Sequence, residues 1–270
     1  MRRSLRSFWF FTGLVFLFTS TGGKAEESAE ESSAVPQEII VATSSDYPPF
    51  EFSQGGEFVG FDIDLAKLLA EKLGAKVTFK DLPFASILAA LQNGTATIAI
   101  STLENTEERS QNFDFSDPYY QAKLAILCRG TDPVFKVEMM AGKDVGCQMG
   151  STMERWVRTN VPDAKVVTFD SIATLVQVLV NGAVKCAVMD AYQARKLSHK
   201  EKGKKTGIGW AHDGTNLESK GIEGTEGGYA VMMPKGSPLK ERLNKALAEL
   251  KASGEIQKLE EKWGLTDLPS

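Results

Sequence analysis

Two segments of the chain repeat one pattern of apolar and polar positions. In each, an apolar stripe with helical spacing leads to Asn-Gly and then to a short apolar run: residues 85–94 precede residues 95–100, and residues 173–182 precede residues 183–188. Asn-Gly is typical of the left-handed carboxyl cap of a helix, and a continuous apolar run suits a parallel strand covered on both faces. The repeat therefore predicts an α/β chain with one helix–strand unit in each of two lobes.

Two further helices are predicted from apolar stripes at helical spacing. The first begins with acidic residues, Asp62 and Asp64, which suit the first turn of a helix, and we interpret both helices as packing elements. The stripes are Phe61, Leu65, Leu69 and Leu73, before Gly74, and Leu239, Leu243, Leu247 and Leu250, between Ser237-Pro238 and Gly254.

The amino terminus has the pattern of an export signal. Arg2 and Arg3 precede an apolar core at residues 8–18, which is too short for a membrane span, and small residues follow. We expect residues 1–25 to be a signal peptide that directs the protein to the periplasm. Because Cys128 is the first cysteine, we do not expect a lipoprotein.

Residues 26–37 are mostly Glu, Ser and Ala, and this composition predicts an acidic disordered tether. Removal of residues 1–25 takes away four basic residues and no acidic residue, so the formal charge of −4 becomes −8. Nucleic acid is therefore not an expected partner. The roughly 230 residues that remain suit one large domain or two lobes, and the repeat favours two.

Polar side chains lie at the carboxyl ends of the two repeated strands. Ser101 and Thr102 come directly after the first strand and correspond in register to Met189 and Asp190 at the end of the second. Open α/β sheets bind ligands at the carboxyl ends of their strands, so these positions converge if the lobes face each other. Asp190 also precedes a predicted helix, which leaves a helix cap as the alternative interpretation.

Arg109 is the second charged candidate, because it lies shortly after the first repeated strand. Its planar guanidinium group matches a carboxylate through two parallel hydrogen bonds. On residue type alone, a solvated arginine beside Glu107 and Glu108 is the alternative. Ser151 and Glu154 similarly allow a simple capping box, although the amide groups of a helix start can bind an anion at the same time.

Several stretches around Arg109 occur in a specific order. These are Ser-Ser-Asp-Tyr-Pro-Pro-Phe-Glu-Phe at 44–52, Gly-Phe-Asp-Ile-Asp-Leu-Ala-Lys at 60–67, Phe-Asp-Phe-Ser-Asp-Pro-Tyr-Tyr at 113–120, Val-Gly-Cys-Gln-Met-Gly-Ser-Thr at 145–152, and Ala-Val-Met-Asp at 187–190. Over residues 38–265 the chain resembles the family 3 solute-binding proteins of polar amino-acid ABC transporters. The resemblance implies a two-lobed type II periplasmic binding protein fold with a ligand cleft between the lobes and a two-strand hinge.

This resemblance also sets the expected boundaries. Lobe 1 should comprise residues 38–126 and 225–266, and lobe 2 should comprise residues 127–224, with a tail at 267–270. The chain should cross between the lobes at residues 122–128 and 228–232.

The same resemblance implies the roles of the site residues. Arg109 of lobe 1 would bind the α-carboxylate of a free amino acid, with backbone donors near Thr102 and Thr152, and Asp190 of lobe 2 would bind the α-ammonium group. Aromatic side chains would enclose the ligand side chain. The predicted ligand-binding residues are Ser44, Tyr47, Phe84, Ser101, Thr102, Glu104, Arg109, Gln148, Ser151, Thr152 and Asp190.

Two positions depart from the family pattern. Ser44 stands where several relatives that bind basic amino acids have aspartate, and Glu104 stands where serine or threonine is usual. Together with Asp190 and Asp46, Glu104 would make an acidic pocket, which favours arginine or lysine over glutamine and places acidic ligands last. Gln148 suits arginine and glutamine equally. If Glu104 points to solvent instead, this preference disappears.

The sequence offers little support for catalysis or for a bound metal. His199 and His212 lie in polar surroundings without a cluster of partners, and no phosphate loop or nucleophile elbow is present. We therefore expect no catalytic residue, no cofactor and no metal. The alternative is an enzyme similar to cyclohexadienyl dehydratases, which resemble this family, with Glu104 as proton donor.

The remaining expectations concern partners and thiols. A free L-amino acid and the membrane permease of an ABC transporter are the expected partners, and the protein should be a monomer. A sensory role for the same binding module is a third interpretation. Cys128, Cys147 and Cys186 are odd in number and lie in apolar runs, so we expect buried packing, and whether Cys147 and Cys186 pair is left open.

Overall fold

The computed structural model describes residues 36–198, 216–225 and 227–266. All of them belong to one compact unit, Val35–Ser270. No helix in these ranges is long and apolar enough to cross a membrane.

Some sequence predictions lie outside the described residues. These are the signal peptide, residues 26–35 of the tether, both histidines, and the tail at 267–270.

The described part of the chain alternates between strands and helices. The strands are β1 (Glu38–Thr43), β2 (Asp46–Tyr47), β3 (Glu51–Gln54), β4 (Glu57–Val59), β5 (Lys76–Asp81), β6 (Ile98–Ala99), β7 (Phe113–Phe115), β8 (Tyr120–Ala122), β9 (Leu124–Arg129), β10 (Asp144–Gln148), β11 (Lys165–Phe169), β12 (Cys186–Asp190), β13 (Leu217–Gly221), β14 (Gly227–Tyr229) and β15 (Met232–Pro234). The α-helices are α1 (Phe61–Leu73), α2 (Ile87–Gln92), α3 (Glu107–Asn112), α4 (Thr152–Asn160), α5 (Ile172–Val180), α6 (Ala191–Ser198), α7 (Lys240–Ala252) and α8 (Glu255–Trp263). Short 3-10 turns lie at Phe84–Ser86 and Val137–Met140.

Two five-stranded sheets define the two lobes. The first sheet has the order β5-β1-β6-β15-β7, and the second has the order β11-β10-β12-β9-β13. In the first sheet β1 is parallel to β5 and β6; in the second, β10 is parallel to β11 and β12. We call the parts of the chain around these sheets lobe 1 and lobe 2.

The predicted helix–strand repeat is confirmed. In lobe 1, α2 is followed by Gly94 with φ 71° and by the buried strand β6. In lobe 2, α5 is followed by Gly182 with φ 81° and by the buried strand β12. Both glycines adopt the left-handed conformation expected after a helix.

The two lobes are connected by a small sheet in which β8 pairs with β14 in antiparallel orientation. The chain passes from β7 of the first sheet through β8 to β9 of the second, and it returns through β14 to β15. The crossing strands are therefore Tyr120–Ala122 and Gly227–Tyr229. Most of the predicted first crossing, residues 122–128, lies instead in β9, which is buried between β12 and β13.

This pairing also corrects the predicted boundary at residue 126. Residues 124–126 pair with Val188, Met189 and Asp190 of β12 and so belong to the second sheet. Nearly every residue of β9 is apolar and buried. Such a strand needs neighbouring strands on both edges and cover on both faces, so it lies inside the second sheet.

The predicted packing helices are confirmed in lobe 1. Their apolar stripes meet in one hydrophobic cluster, where α1 and α7 pack against each other. Gly74 ends α1 with φ 68°. Asp62 lies in the first turn of α1, as predicted, and its side chain is fully buried.

The three cysteines are free thiols and all are buried. The strand pairing places Cys128 opposite Cys186, and it places Val145 of β10 beside Cys186. Cys147 and Cys186 are therefore not joined by a disulfide in this structure, in agreement with the expected role in packing.

Candidate functional site

The candidate site lies at the carboxyl ends of the parallel strands. Ser44 follows β1, Ser101 and Thr102 follow β6, Gln148 ends β10, and Asp190 ends β12. These are the positions at which open α/β sheets hold ligands. Side chains from both lobes meet here.

Arg109 lies on α3, which Thr106 caps by accepting a hydrogen bond from the Arg109 amide at 3.3 Å. Its Nη1 donates to the carbonyl oxygen of Glu104 at 3.1 Å, and its Nη2 donates to the carbonyl oxygen of Gly150 at 3.2 Å. Because Gly150 belongs to lobe 2, this guanidinium group contacts both lobes. Burial lowers the pKa of Arg109 to about 10, which leaves the group charged at neutral pH, and the Glu104 carboxylate favours the charge.

Glu104 turns into the space between the lobes. Its carboxylate lies close to the Thr152 side chain of lobe 2 and to Arg109. A Cβ atom added to Gly227 would lie 3.1 Å from Glu104 Oε1, so the hinge strand packs closely on this carboxylate. Burial raises the pKa of Glu104, while Thr152 and Arg109 lower it. The alternative in which Glu104 points to solvent is therefore wrong.

Asp190 is almost fully buried and uses both carboxylate oxygens. Oδ1 accepts from the amides of Tyr192 at 2.8 Å and Gln193 at 3.2 Å, which caps α6. Oδ2 accepts from the hydroxyl of Tyr229 at 2.9 Å. Burial raises the pKa of Asp190 to about 6, and these hydrogen bonds oppose the shift. The cap interpretation is thus confirmed, and the free lone pairs of a carboxylate still allow a further donor.

Tyr229 is a residue of the site that sequence reasoning missed. It lies on β14, is fully buried, and stacks on Tyr120 with ring centroids 5.8 Å apart. In the sequence it is one aromatic residue in a strand-like run, and no local signal distinguishes it from a core residue.

Tyr47 lies beside this group. Its hydroxyl is buried, lies near Asp190, and has no hydrogen-bond partner among the described residues. Phe84, the other predicted aromatic wall, belongs to a different hydrophobic cluster with Ile87 and Leu91. The structure therefore brings Tyr47, but not the Phe84 ring, into the group around Asp190.

The start of α4 provides the lobe 2 side of the site. Ser151 Oγ accepts from the Glu154 amide at 3.2 Å, and Glu154 Oε2 accepts from the Gly150 amide at 2.8 Å. The predicted capping box is present, except that the carboxylate reaches Gly150 and not Ser151. Gln148 precedes this turn, and its buried Nε2 has no partner among the described residues.

Hydrogen bonds to buried side chains fix the residues that follow β1 and β6. Ser101 Oγ accepts from the Ser44 amide at 3.1 Å and donates to Glu51 Oε1 at 2.8 Å. Thr102 has φ 48°, and its amide donates to Asp62 Oδ2 at 2.8 Å. The backbone donor expected near Thr102 is therefore not the Thr102 amide, because Asp62 already accepts from it.

The expected contribution of Asp46 to an acidic pocket is also wrong. Its Oδ1 accepts from Ser44 Oγ at 3.1 Å, and its Oδ2 accepts from the amide of Ile172, at the start of α5, at 3.1 Å. A helix start has exposed amides and a partial positive charge that stabilise a carboxylate. Asp46 thus links lobe 1 to a helix of lobe 2 and does not join Glu104 and Asp190.

Two α/β lobes joined by two strands, with buried charges of opposite sign where the lobes meet, are typical of proteins that bind a small polar solute. Residues 39–266 match the family model of bacterial extracellular solute-binding proteins, family 3. The chain belongs to this family, and its fold is the two-lobed type II periplasmic binding protein fold.

Individual relatives agree with this assignment. The chain is 31% identical over 255 residues to the arginine-binding extracellular protein ArtP of Bacillus subtilis (strain 168), covering 93% of each chain. Among solved structures it is similar to an ancestral arginine-binding protein bound to glutamine, with 38% identity, a TM-score of 0.75, and coverage of 85% of this chain and 98% of the other. It is also similar to the ancestral amino acid-binding protein AncCDT-1, a precursor of cyclohexadienyl dehydratase, with 32% identity, a TM-score of 0.71, and coverage of 88% and 98%.

Proposed function

We propose that this protein binds a free amino acid in the cleft and delivers it to the membrane permease of an ABC transporter. Arginine or lysine is the favoured ligand, and glutamine is the next. The observation that carries the proposal is the placement of Arg109 on lobe 1 and Asp190 on lobe 2, both buried, with Glu104 close enough to affect the pKa of each.

The two charged residues suit the two ends of a zwitterion. Removing an ammonium and a carboxylate group from water costs several kcal/mol per ion unless each meets a fixed partner. Arg109 would bind the α-carboxylate together with the amide groups at the start of α4, near Thr152. Asp190 would bind the α-ammonium group, with the Tyr229 hydroxyl holding the aspartate in place.

The balance of charge favours a cationic ligand side chain. Glu104 and Asp190 supply two carboxylates, and Arg109 supplies one guanidinium group. A zwitterion adds no net charge to this set, whereas arginine or lysine adds one positive charge. Tyr47 would contact the ligand side chain, and a guanidinium group over an aromatic face gains roughly 0.5 to 2 kcal/mol. Phe84 packs in another hydrophobic cluster and is not part of this proposal.

Binding would be coupled to closure of the two lobes. A ligand shifts an equilibrium only through its difference in affinity for the two states, and contact with both lobes supplies that difference. The lobes already touch at several points outside the site, including the ion pair between Arg155 and Glu108 at 2.7 Å and the hydrogen bond from Gln193 Nε2 to the Pro48 carbonyl at 2.9 Å.

The relatives support the amino-acid class more strongly than any one ligand. One is named for arginine, and an ancestral arginine-binding protein has been solved with glutamine. We also propose a periplasmic location, export directed by residues 1–25, and action as a monomer.

The test is a thermal-shift screen of the mature protein against the standard amino acids, followed by calorimetric titration of those that stabilise it. L-arginine or L-lysine should give the largest upward shift, and Arg109→Ala and Asp190→Ala should each abolish it. Arg242→Ala serves as a matched control, because Arg242 is exposed on α7, a packing helix of lobe 1. A shift that survives Arg109→Ala would contradict the carboxylate role.

A dehydratase is the second candidate, and Glu104 is the observation that favours it. Its carboxyl group has a pKa raised by burial and lies beside Thr152 and Arg109, as a proton donor in a cleft requires. Turnover of prephenate or arogenate that is lost in Glu104→Gln would establish this activity. Saturable binding of arginine without turnover would reject it.

A further inference from the structure

Two acidic side chains that are not among the predicted site residues lie directly beneath the site. Glu51, on β3, and Asp62, on α1, are both 0% exposed. They lie within hydrogen-bonding range of each other. Two ionised carboxylates in this position would repel strongly in a medium from which water is excluded.

The groups around the pair do not neutralise two charges. Ser101 donates to Glu51 Oε1 at 2.8 Å; the Thr102 amide and the Tyr119 hydroxyl donate to Asp62 Oδ2 at 2.8 and 2.9 Å. The ionisable groups that act on the pair from β2 and from the segment before β8 are Asp46, Tyr47 and Tyr119, and none of them is a cation.

One oxygen of each carboxyl group is left over. Glu51 Oε2 and Asp62 Oδ1 are buried and have no N–H or O–H partner among the described residues. A single proton between these two oxygens satisfies both, because a protonated carboxyl group donates and a carboxylate accepts. Burial raises the pKa of Glu51 well above its usual value, and the neighbouring Asp62 raises it further.

The pair holds the backbone from which the site extends. Thr102 has φ 48°, a left-handed conformation that is unfavourable for a residue with a side chain. Its amide is fixed by Asp62, and the next residues lead to the Leu103 carbonyl, which accepts from Ala230 at 2.9 Å, and to Glu104. The Glu104 carbonyl in turn accepts from Arg109.

We propose that Glu51 and Asp62 share one proton and act as a positioning pair, which holds the segment from Ser101 to Glu104 in the conformation that brings Glu104 and Arg109 to the cleft. The proton resides on Glu51, and Asp62 carries the negative charge that binds the Thr102 amide. The proposal rests on the proposed function only in taking that cleft as the ligand site.

The shared proton can be tested without a ligand. The infrared spectrum of the mature protein at neutral pH should contain the carbonyl band of a protonated carboxyl group. The band should disappear in Glu51→Gln, whose amide can still donate to Asp62 and accept from Ser101, and it should persist in Asp190→Asn. Absence of the band in the wild-type protein, or its persistence in Glu51→Gln, would overturn the proposal.

The pH dependence of stability gives an independent measurement. The folded pKa of Glu51 lies above its unfolded value, so its contribution to stability is complete below the unfolded pKa and is lost as pH rises through the folded pKa. Glu51→Gln lacks this group, so its melting temperature should fall less than that of the wild-type protein as pH rises above the unfolded pKa of Glu51. An equal fall in both proteins would count against a proton on Glu51.

The positioning role is tested by titration with L-arginine at neutral pH. Glu51→Ala should weaken binding by at least about tenfold, and Glu51→Gln should restore the affinity to within about threefold of wild type, since a tenfold change corresponds to ~1.4 kcal/mol. Circular dichroism identifies an alanine variant that has not folded, in which case the glutamine variant and the spectra decide. Equal loss in both variants, with both folded, would overturn the role. If the wild-type protein binds no arginine, the proposed ligand fails while the infrared result still decides the proton.

Discussion

The carboxylate of Asp190, at the end of a lobe 2 strand, accepts a hydrogen bond from the hydroxyl of Tyr229, on the hinge, at 2.9 Å. The acidic group proposed to bind the ligand ammonium is therefore held by the element on which closure would turn. Burial raises the pKa of Asp190 to about 6, and the Tyr229 hydroxyl lowers it by stabilising the ionised form. One hydroxyl thus affects both the charge and the orientation of the aspartate.

Substitution of Tyr229 by phenylalanine should weaken arginine binding without unfolding the protein. We expect a loss of at least about tenfold at neutral pH, since a hydrogen bond to a charged group contributes roughly 1.5 to 3 kcal/mol. Isothermal titration measures the loss. Tyr192→Phe is the matched control, because that hydroxyl donates to the Gly264 carbonyl at 2.8 Å and not to Asp190. Equal effects of the two substitutions would argue against a specific role for Tyr229.

The pKa of Asp190 predicts that ligand affinity and the stability of the ligand-free protein change in opposite directions with pH. The folded pKa of about 6 exceeds the usual 3.8, so ionisation of Asp190 destabilises the ligand-free protein as pH rises through 6. The ligand ammonium requires the ionised form. Between about pH 7.5 and about pH 5 the affinity for arginine should fall roughly tenfold, one decade for each unit below the pKa. In Asp190→Asn, this part of the pH dependence should be absent.

Much of the fold could be predicted because its signals are local. The apolar stripes, the Asn-Gly helix ends and the buried strand after each of them depend on residues within one helix–strand unit, and the repeat located Asp190 and the segment from Ser101 at equivalent strand ends. The first crossing was placed too far along the chain because the apolar run from Ala122 to Cys128 is interrupted only by Lys123. That residue separates β8 from β9, but the sequence does not show which sheet each strand joins.

The parts of the site that were missed depend on contacts between distant segments. Asp62 was predicted only as an acidic residue of a first helical turn, and its contacts with Glu51 and the Thr102 amide were not foreseen. Asp46 was assigned to the pocket, but it caps α5 of the other lobe. For such residues the type of side chain is clear from the sequence, and its partner follows only from the packing of the two lobes.

Glu104 should determine which amino acids bind. In Glu104→Ser, the cleft loses one negative charge beside Arg109 and Thr152. The affinity for arginine should therefore fall about tenfold, which corresponds to ~1.4 kcal/mol for one partly buried charge. Glutamine should bind better relative to arginine than it does to the wild-type protein. Competition between the two ligands measures the ratio. Glu71→Ser is a charge-matched control on an exposed position of α1. An unchanged ratio in Glu104→Ser would mean that its carboxylate does not contribute to selectivity.

Asp46 should set the ease of closure and not the choice of ligand. Its carboxylate reaches from lobe 1 to the amide of Ile172 at the start of α5, 3.1 Å away, so this contact exists only when the lobes are together. Asp46→Ala removes an acidic group from a helix start, and such a loss typically costs about 1 kcal/mol. Because only the closed state has this contact, the ratio of closed to open protein should fall about fivefold.

All ligands of the cleft should therefore bind more weakly to Asp46→Ala by one common factor, and their ranking should not change. Small-angle X-ray scattering of the ligand-free variant should show a larger radius of gyration than the wild-type protein. Ser171→Ala is the control, because Ser171 caps the same helix from within lobe 2 by accepting from the Thr174 amide at 3.2 Å. That variant should lower the melting temperature without a change in the radius. A change in ligand ranking in Asp46→Ala would return this aspartate to the pocket, since only a side chain near the ligand distinguishes one amino acid from another.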